Sequence, residues 1–220
     1  GVDIDARDDG GYEIHATSYL TRVLKRYGFD KASTARTPLP QGFTADPTHR
    51  PDDQTGGSTS RSFDPAEIAG CLVFAAVLRP DLAFAASCLA SAVGCWAPKH
   101  DRAAARVLRY IKGTLHRRIV FRRNAPLDLA LWVDASFAND IHSPTAPGRA
   151  KSRSGCVLFF LGAVLWFASR RQTATAISTC EAELAALCLG VRSLVVVRAT
   201  VVFVFRIELP PTRVDEDNAA

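Results

Sequence analysis

Apolar and polar residues alternate along residues 127–134, which is the clearest strand pattern in the chain. Every second position from 127 to 133 is Leu or Val, and the run ends on Asp134. Such alternation is typical of a strand with one buried face. The sequence therefore predicts a half-buried strand that presents a carboxylate at its end.

Other stretches have the three- and four-residue apolar spacing of helices. The first spans residues 16–27 and follows a hairpin that is predicted because Asp8-Asp9-Gly10-Gly11 favours a tight turn. A second helix is predicted to begin after Asp64, a residue suited to a helix N-cap. That helix is predicted to end near Leu78, and further helices are predicted at 82–93, at 99–112 and from Glu183 to Leu189. Three further strands are predicted at 155–161, 164–167 and 213–217.

The longest apolar run spans residues 184–205. Arg192 and Arg198 interrupt it, and each would cost about 2.5–3.5 kcal/mol near the centre of a bilayer. We therefore expect a buried element rather than a membrane span. Its second half, residues 195–205, is crowded with Val and Phe, which favour strand.

Residues 31–62 are rich in Pro, Gly, Ser, Thr and Asp and have almost no large apolar side chains. Such a segment cannot bury enough surface to offset the entropy of ordering, so a flexible linker is predicted. The chain contains no Met, and we expect it to be an excerpt of a longer product. Its six cysteines form no C-x-x-C pair, which favours a reducing compartment and argues against zinc.

The 220 residues have a net charge of +5, and the basic residues concentrate between 102 and 123, where there is no acid. Arg102, Arg106 and Arg109 recur at helical spacing and should share one face, where like charges destabilise a helix unless a partner neutralises them. A polyphosphate is the natural partner. The alternative is a solvated basic face.

Carboxylates occur at three separated places: Asp134, the pair Glu181 and Glu183 ahead of an apolar run, and Asp217. Carboxylates from separate elements can fix a pair of divalent cations, and Mg²⁺ prefers such hard oxygens. The alternative is that Asp134 simply forms a turn at the end of its strand.

Four motifs occur in the order and rough spacing of the ribonuclease H region of copia-type retrotransposon polyproteins, and the chain resembles that family. They are Val133-Asp134-Ala135-Ser136-Phe137-Ala138-Asn139-Asp140, Lys151-Ser152-Arg153-Ser154-Gly155, Ser178-Thr179-Cys180-Glu181-Ala182-Glu183-Leu184 and Asp217-Asn218. The resemblance implies an α/β (α+β) fold, with a ribonuclease H-like mixed sheet and flanking helices. It divides the chain into the end of a reverse transcriptase domain (1–30), a linker (31–62), a helical connection (63–124) and a ribonuclease H-like domain (125–220). It also places helix at 195–205, and we follow it there against local propensity.

The resemblance further implies hydrolysis of the RNA strand of an RNA/DNA hybrid by two Mg²⁺ ions. Asp134 would be the shared ligand, with Glu183 and Asp217 as the others and Glu181 as the rival of Glu183. The hybrid would meet basic side chains, namely Arg102, Arg106, Arg109, Lys112, Arg170 and Arg171. The partners expected are the hybrid and the rest of the polyprotein, with no membrane, inside the cell in a cytoplasmic particle or the nucleus.

The chain also departs from the family pattern. Ser136 and Phe137 stand where the family usually has Asp and Trp, and Arg153 replaces a Thr. The family's later segment, with a fourth acidic ligand and a His, has no counterpart before Ala220, and the polymerase motif would lie before Gly1. We therefore expect this piece to be inactive by itself. The rival hypotheses are a noncatalytic nucleic-acid-binding remnant of a degraded element and an unrelated structural α/β protein.

Overall fold

The structure of the protein is a computed structural model that describes residues 1–43, 63–140 and 151–216. The helices are α1 (Thr17–Arg26), α2 (Pro65–Ala76), α3 (Ala83–Ser91), α4 (Pro98–Gly113) and α5 (Thr179–Phe205). The strands are β1 (Asp3–Ala6), β2 (Tyr12–His15), β3 (Ile119–Phe121), β4 (Leu129–Asp140), β5 (Lys151–Phe160), β6 (Ala163–Arg171) and β7 (Arg213–Glu216). The predicted loop at 141–149 lies outside the described residues.

The chain divides into two compact units, one built largely on Glu13–Ile119 and the other on Val120–Ile141 and the residues after 150. Helices α1 to α4 form the core of the first unit. In the second unit, a four-stranded sheet of order β6-β5-β4-β7 packs against α5. A separate three-stranded sheet has the order β1-β2-β3. The predicted mixed α/β character is confirmed, because β4 pairs antiparallel with β5 and parallel with β7.

The predicted helices of the first unit are confirmed with small shifts at their ends. Helix α1 buries Leu20, Val23 and Leu24, the face that its three- and four-residue spacing indicates. The side chain of Asp64 accepts a hydrogen bond of 2.7 Å from the backbone N of Glu67, so it caps α2 as predicted.

Residues 31–43 correct the prediction of a free linker. Leu39 is buried among the core side chains of the first unit, and the backbone N of Ala35 donates to the carbonyl oxygen of Arg109 in α4 at 3.3 Å. Few apolar residues suffice here because α4 supplies hydrogen-bond partners. The rest of the predicted linker, residues 44–62, lies outside the described part of the chain.

The second unit has its core on one face of the sheet. Leu129, Leu131 and Val133 of β4 stand opposite Phe160, Leu158 and Cys156 of β5, and all six are buried. Helix α5 covers this face with small residues at intervals of four, namely Ala182, Ala186 and Gly190. The sheet is longer than predicted, since β4 continues to Asp140 and β6 to Arg171.

Helix α5 is continuous through residues 195–205, so local strand propensity is overridden there. Leu194 and Val201 pack in the core of the second unit and make helix the conformation that buries them. The run is buried only in part, however, because side chains such as Val195, Val196 and Phe203 are exposed. Among the described residues, α5 is also the one helix that is long and apolar enough to cross a membrane.

Gly190 marks the closest approach of α5 to β4 and yields a stability prediction. A Cβ there would lie 2.7 Å from Cγ1 of Val133 and 3.1 Å from Cδ2 of Leu131. Overpacking costs about 1–3 kcal/mol, whereas Ala in place of a helical Gly returns about 0.5–1 kcal/mol. We expect Gly190→Ala to lower the free energy of unfolding, measured by urea denaturation.

The matched control is Gly70→Ala on α2, where an added Cβ meets no described heavy atom within 4 Å. This variant should be stabilised by about 0.5–1 kcal/mol. Equal stabilisation by the two substitutions would contradict the close packing of α5 on β4.

Candidate metal centre and nucleic-acid interface

Asp134 lies on β4 opposite Gly155 of β5, and it is exposed. Side chains alternate along a strand, so Asp134 shares its sheet face with the exposed Trp132. The intervening Val133 points to the other face, towards Gly190 of α5. Asp134 therefore presents its carboxylate on the face that α5 does not cover.

The start of α5 distinguishes the two rival glutamates. The Oγ of Ser178 accepts a hydrogen bond of 3.1 Å from the backbone N of Glu181, and the carboxylate of Glu181 accepts one of 2.7 Å from the backbone N of Ile177. Ser178 thus caps α5, and the Glu181 carboxylate is occupied by the backbone N of the residue before the cap.

Glu183 is placed differently. It precedes Gly190 by seven residues, which is close to two helical turns, so both lie on the face of α5 that meets the sheet. Its Oε2 atom is buried. Of the two glutamates, Glu183 is thus the one directed towards the sheet.

Two hydrogen bonds show which part of the sheet Glu183 overlies. The Sγ of Cys156, opposite Val133, donates to the carbonyl oxygen of Ala186 at 3.6 Å. The side chain of Gln172 joins Ser154, which stands opposite Ala135, to the carbonyl oxygen of Ala182. The turn of α5 that contains Glu183 therefore lies at the level of residues 133–135 in β4, which is the level of Asp134.

The third predicted ligand, Asp217, lies outside the described residues. Strand β7 ends at Glu216, which pairs with Val133, the residue before Asp134. Within the described ranges, no group of three or more His, Cys, Asp or Glu residues is placed to hold a metal ion. The convergence of Asp134, Glu183 and Asp217 stays a prediction. The two carboxylates that are described have the hard oxygens that Mg²⁺ prefers.

The thiol of Cys156 lies beneath the turn that contains Glu183. Burial raises the pKa of Cys156 to about 11, so the thiol is protonated at neutral pH. A neutral thiol packs there as a small apolar group and adds no charge beside the carboxylates.

The basic face of α4 contacts the protein's own backbone. Arg106 donates from Nε to the carbonyl oxygen of Thr37 at 3.1 Å, and Arg109 donates from Nε to that of Ser33 at 2.9 Å. Lys112 donates to the carbonyl oxygen of Ala32. Three of the four predicted phosphate-binding residues on α4 thus hold residues 32–37 in place. The sequence did not indicate that this segment would be their partner.

The other predicted basic contacts are placed as follows. Arg102 is exposed at the start of α4, and Arg170 and Arg171 are exposed at the end of β6. Arg171 pairs across the sheet with Arg153 of β5, whose side chain is buried although it is charged. By alternation, Arg153 and Arg171 lie on the same sheet face as Asp134.

Comparison with known proteins identifies relatives. The chain is 28% identical to the retrovirus-related Pol polyprotein from transposon TNT 1-94 of Nicotiana tabacum over 75% of its length, and 25% identical to that from transposon RE1 of Arabidopsis thaliana over 79%. It is also 33% identical, over 50% of its length, to a protein of Plasmopara viticola named secreted RxLR effector protein 161, of which it covers 74%. No protein-family model matches the chain, and no solved structure does.

The chain is thus related to the retrovirus-related Pol polyproteins of copia-type transposons. It spans 12% of the length of the tobacco polyprotein and 11% of the RE1 polyprotein. The predicted family resemblance is therefore confirmed.

The sequence places Gln172, with Arg170 and Arg171, near a substrate backbone, but its bonds within the protein were not predicted. It follows the exposed pair Arg170-Arg171 and bonds to both β5 and α5. The one signal in the sequence is a polar amide directly after a strand, which is too common to indicate a role by itself.

Proposed function

We propose that this Pol segment is a ribonuclease H that cleaves the RNA strand of an RNA/DNA hybrid with two Mg²⁺ ions. The observation that supports this most directly is the geometry at the start of α5. Glu181 forms the helix cap, while Glu183 faces the sheet at the level of Asp134.

Two divalent cations about 3.5–4 Å apart activate a water, neutralise charge on the phosphate and stabilise the leaving oxygen. Asp134, Glu183 and Asp217 would hold them, with Asp134 shared. Of these, Asp134 lies on the sheet face that α5 does not cover, and Glu183 lies on the side of α5 at the same level along β4.

In the second unit, the hybrid would meet the exposed cations Arg170 and Arg171. In the first unit, the predicted phosphate contacts are the exposed Arg102 and the remaining guanidinium donors of Arg106 and Arg109. Such phosphate contacts position a nucleic acid without reading its sequence. Discrimination between the strands would come from contacts to the RNA 2′-hydroxyls, the groups that distinguish RNA from DNA at a given site.

A second candidate function is a noncatalytic nucleic-acid-binding remnant. Arg153, buried on the sheet face of Asp134, favours it, because a fixed cation close to a metal site reduces the attraction for Mg²⁺. This candidate retains hybrid binding but no hydrolysis.

The test compares the chain as printed with a version extended by the codons that follow Ala220 at the parent locus. Each is mixed with a hybrid labelled on its RNA strand, in Mg²⁺, in Ca²⁺ or in EDTA. We expect the extended protein to give RNA fragments with 5′-phosphate and 3′-hydroxyl ends in Mg²⁺ alone, because the looser coordination of Ca²⁺ holds the attacking water less well.

Binding at several salt concentrations completes the test, since each phosphate contact contributes close to one unit of salt slope on a duplex. Salt-dependent binding without Mg²⁺-dependent cleavage by the extended protein would overturn the nuclease and establish the remnant. Loss of both would contradict any role in nucleic-acid binding.

A further inference from the structure

Gln172 joins three parts of the second unit. Its backbone N donates to the carbonyl oxygen of Ser152 at 2.8 Å and so continues the pairing of β6 with β5. Its side-chain Nε2 donates to the Oγ of Ser154 at 3.0 Å and to the carbonyl oxygen of Ala182 at 2.8 Å. One amide group therefore connects β5 to the first turn of α5.

The acceptor at the helix end is next to the candidate ligand. Ala182 is fully buried and immediately precedes Glu183. The cap by Ser178 and the bond from Ile177 to Glu181 fix where α5 begins, but both bonds lie within residues 177–181. These two bonds therefore do not tie the first turn to the sheet, whereas the Gln172 side chain does so at Ala182 itself, one turn before the bond from Cys156 to Ala186.

A single hydrogen bond to this turn can control where the Glu183 carboxylate lies. Helices fray at their ends, because the first turn contains backbone donors without a partner within the helix. A bond from β5 restricts both the rotation and the lateral movement of that turn. Groups that orient metal ligands from outside the coordination sphere alter metal affinity by about 10–100-fold when they are replaced.

We propose that Gln172 is a positioning residue that holds Glu183 at the level of Asp134 for metal binding. This inference rests on the proposed function, because it assigns Glu183 the role of a ligand. Gln172 itself touches neither metal nor substrate.

The test variant is Gln172→Met, which keeps the length and volume of the side chain, removes both donors and introduces no charge. Ser154→Ala removes only one of the two bonds and keeps the contact with Ala182. The matched control is Arg198→Met at the other end of α5. Arg198 donates to the carbonyl oxygens of Leu209 and Pro210, at 2.6 and 2.7 Å, so its loss also frees one end of the same helix.

Two measurements are made on each protein without nucleic acid: Mn²⁺ binding, followed by electron paramagnetic resonance, and amide hydrogen exchange along α5. We expect Gln172→Met to weaken Mn²⁺ binding about tenfold and to accelerate exchange in the turn at 182–187. Ser154→Ala should lie between Gln172→Met and the unsubstituted protein. Arg198→Met should accelerate exchange only near 205 and leave Mn²⁺ binding unchanged.

The outcomes separate this inference from the proposed function. If the unsubstituted protein and Gln172→Met bind Mn²⁺ equally well, the role of Gln172 is overturned while the metal site stands. If Arg198→Met weakens binding as much as Gln172→Met, general loosening of α5 explains the effect and the inference is again overturned. All of these proteins are made in the extended form, and if the extended unsubstituted protein binds no Mn²⁺, the proposed function and this inference are both overturned.

Discussion

Asp81→Ala is expected to lower the free energy of unfolding by about 3–5 kcal/mol, because it leaves a buried guanidinium without its carboxylate. The side chain of Arg79 is only 2% exposed. Its Nε and Nη2 donate to the two carboxylate oxygens of Asp81 at 2.9 and 2.8 Å. The same guanidinium donates to the carbonyl oxygen and the Oγ1 of Thr114, which are the acceptors that remain in the variant.

The pH dependence of stability should change as well. Burial raises the pKa of Asp81, but hydrogen bonds and charge from Arg79, with help from Tyr110 and Arg117, lower it overall below the usual range. A carboxylate with a depressed pKa contributes stability that is complete above its unfolded pKa of about 3.9 and is lost as the pH falls through the folded value. The unsubstituted protein should therefore lose this contribution below about pH 4, and Asp81→Ala should lack that part of the dependence.

The control is Arg117→Ala, which removes an exposed partner of the same carboxylate. Arg117 donates to Asp81 at 3.0 Å, but its side chain is 48% exposed. Exposed ion pairs contribute about 0–1 kcal/mol. Chemical denaturation at pH 7 and pH 3 measures both variants, and similar losses in the two would show that the burial of Arg79 is not the cause.

The elements that the sequence predicted well are those determined by residues close to one another in the chain. Helix α1 and the cap of α2 follow from local spacing and from one side chain, Asp64, that bonds three residues away. Strand β3 was missed because its three residues, Ile119–Phe121, are too few to show alternation and depend on pairing with β2. The local sequence does not show which distant strand a short segment will pair with.

The partners of the basic face of α4 also could not be predicted from the local sequence. A charged partner was expected for the clustered cations, but Arg106, Arg109 and Lys112 donate to carbonyl oxygens of Thr37, Ser33 and Ala32. These residues lie 69 to 80 positions away in the chain. A segment that is poor in apolar residues was therefore held by hydrogen bonds that its composition could not indicate.

The candidate metal site was predictable in its residue types but not in its geometry. Motif order selected Asp134 and both glutamates, yet only the folded helix start shows that Glu181 bonds to the backbone N of Ile177. The position of Glu183 depends on two hydrogen bonds to its helix turn. Cys156 of β5 bonds to Ala186, and Gln172, which follows β6, bonds to Ala182. Long-range packing decides which carboxylate faces the sheet.

In the extended protein, Glu183→Gln is expected to reduce Mg²⁺-dependent cleavage of the hybrid by on the order of 10²–10³-fold or more, the scale for removing a group that stabilises the transition state. The amide keeps the size of the side chain, but it loses the charge that would hold a cation. Glu181→Gln should retain most of the activity. Its amide oxygen can still accept the hydrogen bond from Ile177, so the free energy of unfolding should fall by at most about 1 kcal/mol.

Single-turnover cleavage with saturating hybrid measures the chemical step, and circular dichroism melting curves establish that both variants fold. Asp134→Asn provides the reference for complete loss of a ligand and should match Glu183→Gln in rate. Hybrid binding in EDTA should be the same for all three variants, because none removes a cation that meets phosphate. If Glu181→Gln abolished cleavage while Glu183→Gln remained active, the assignment of the two glutamates would be reversed, and the position of Glu183 facing β4 would have only a structural role.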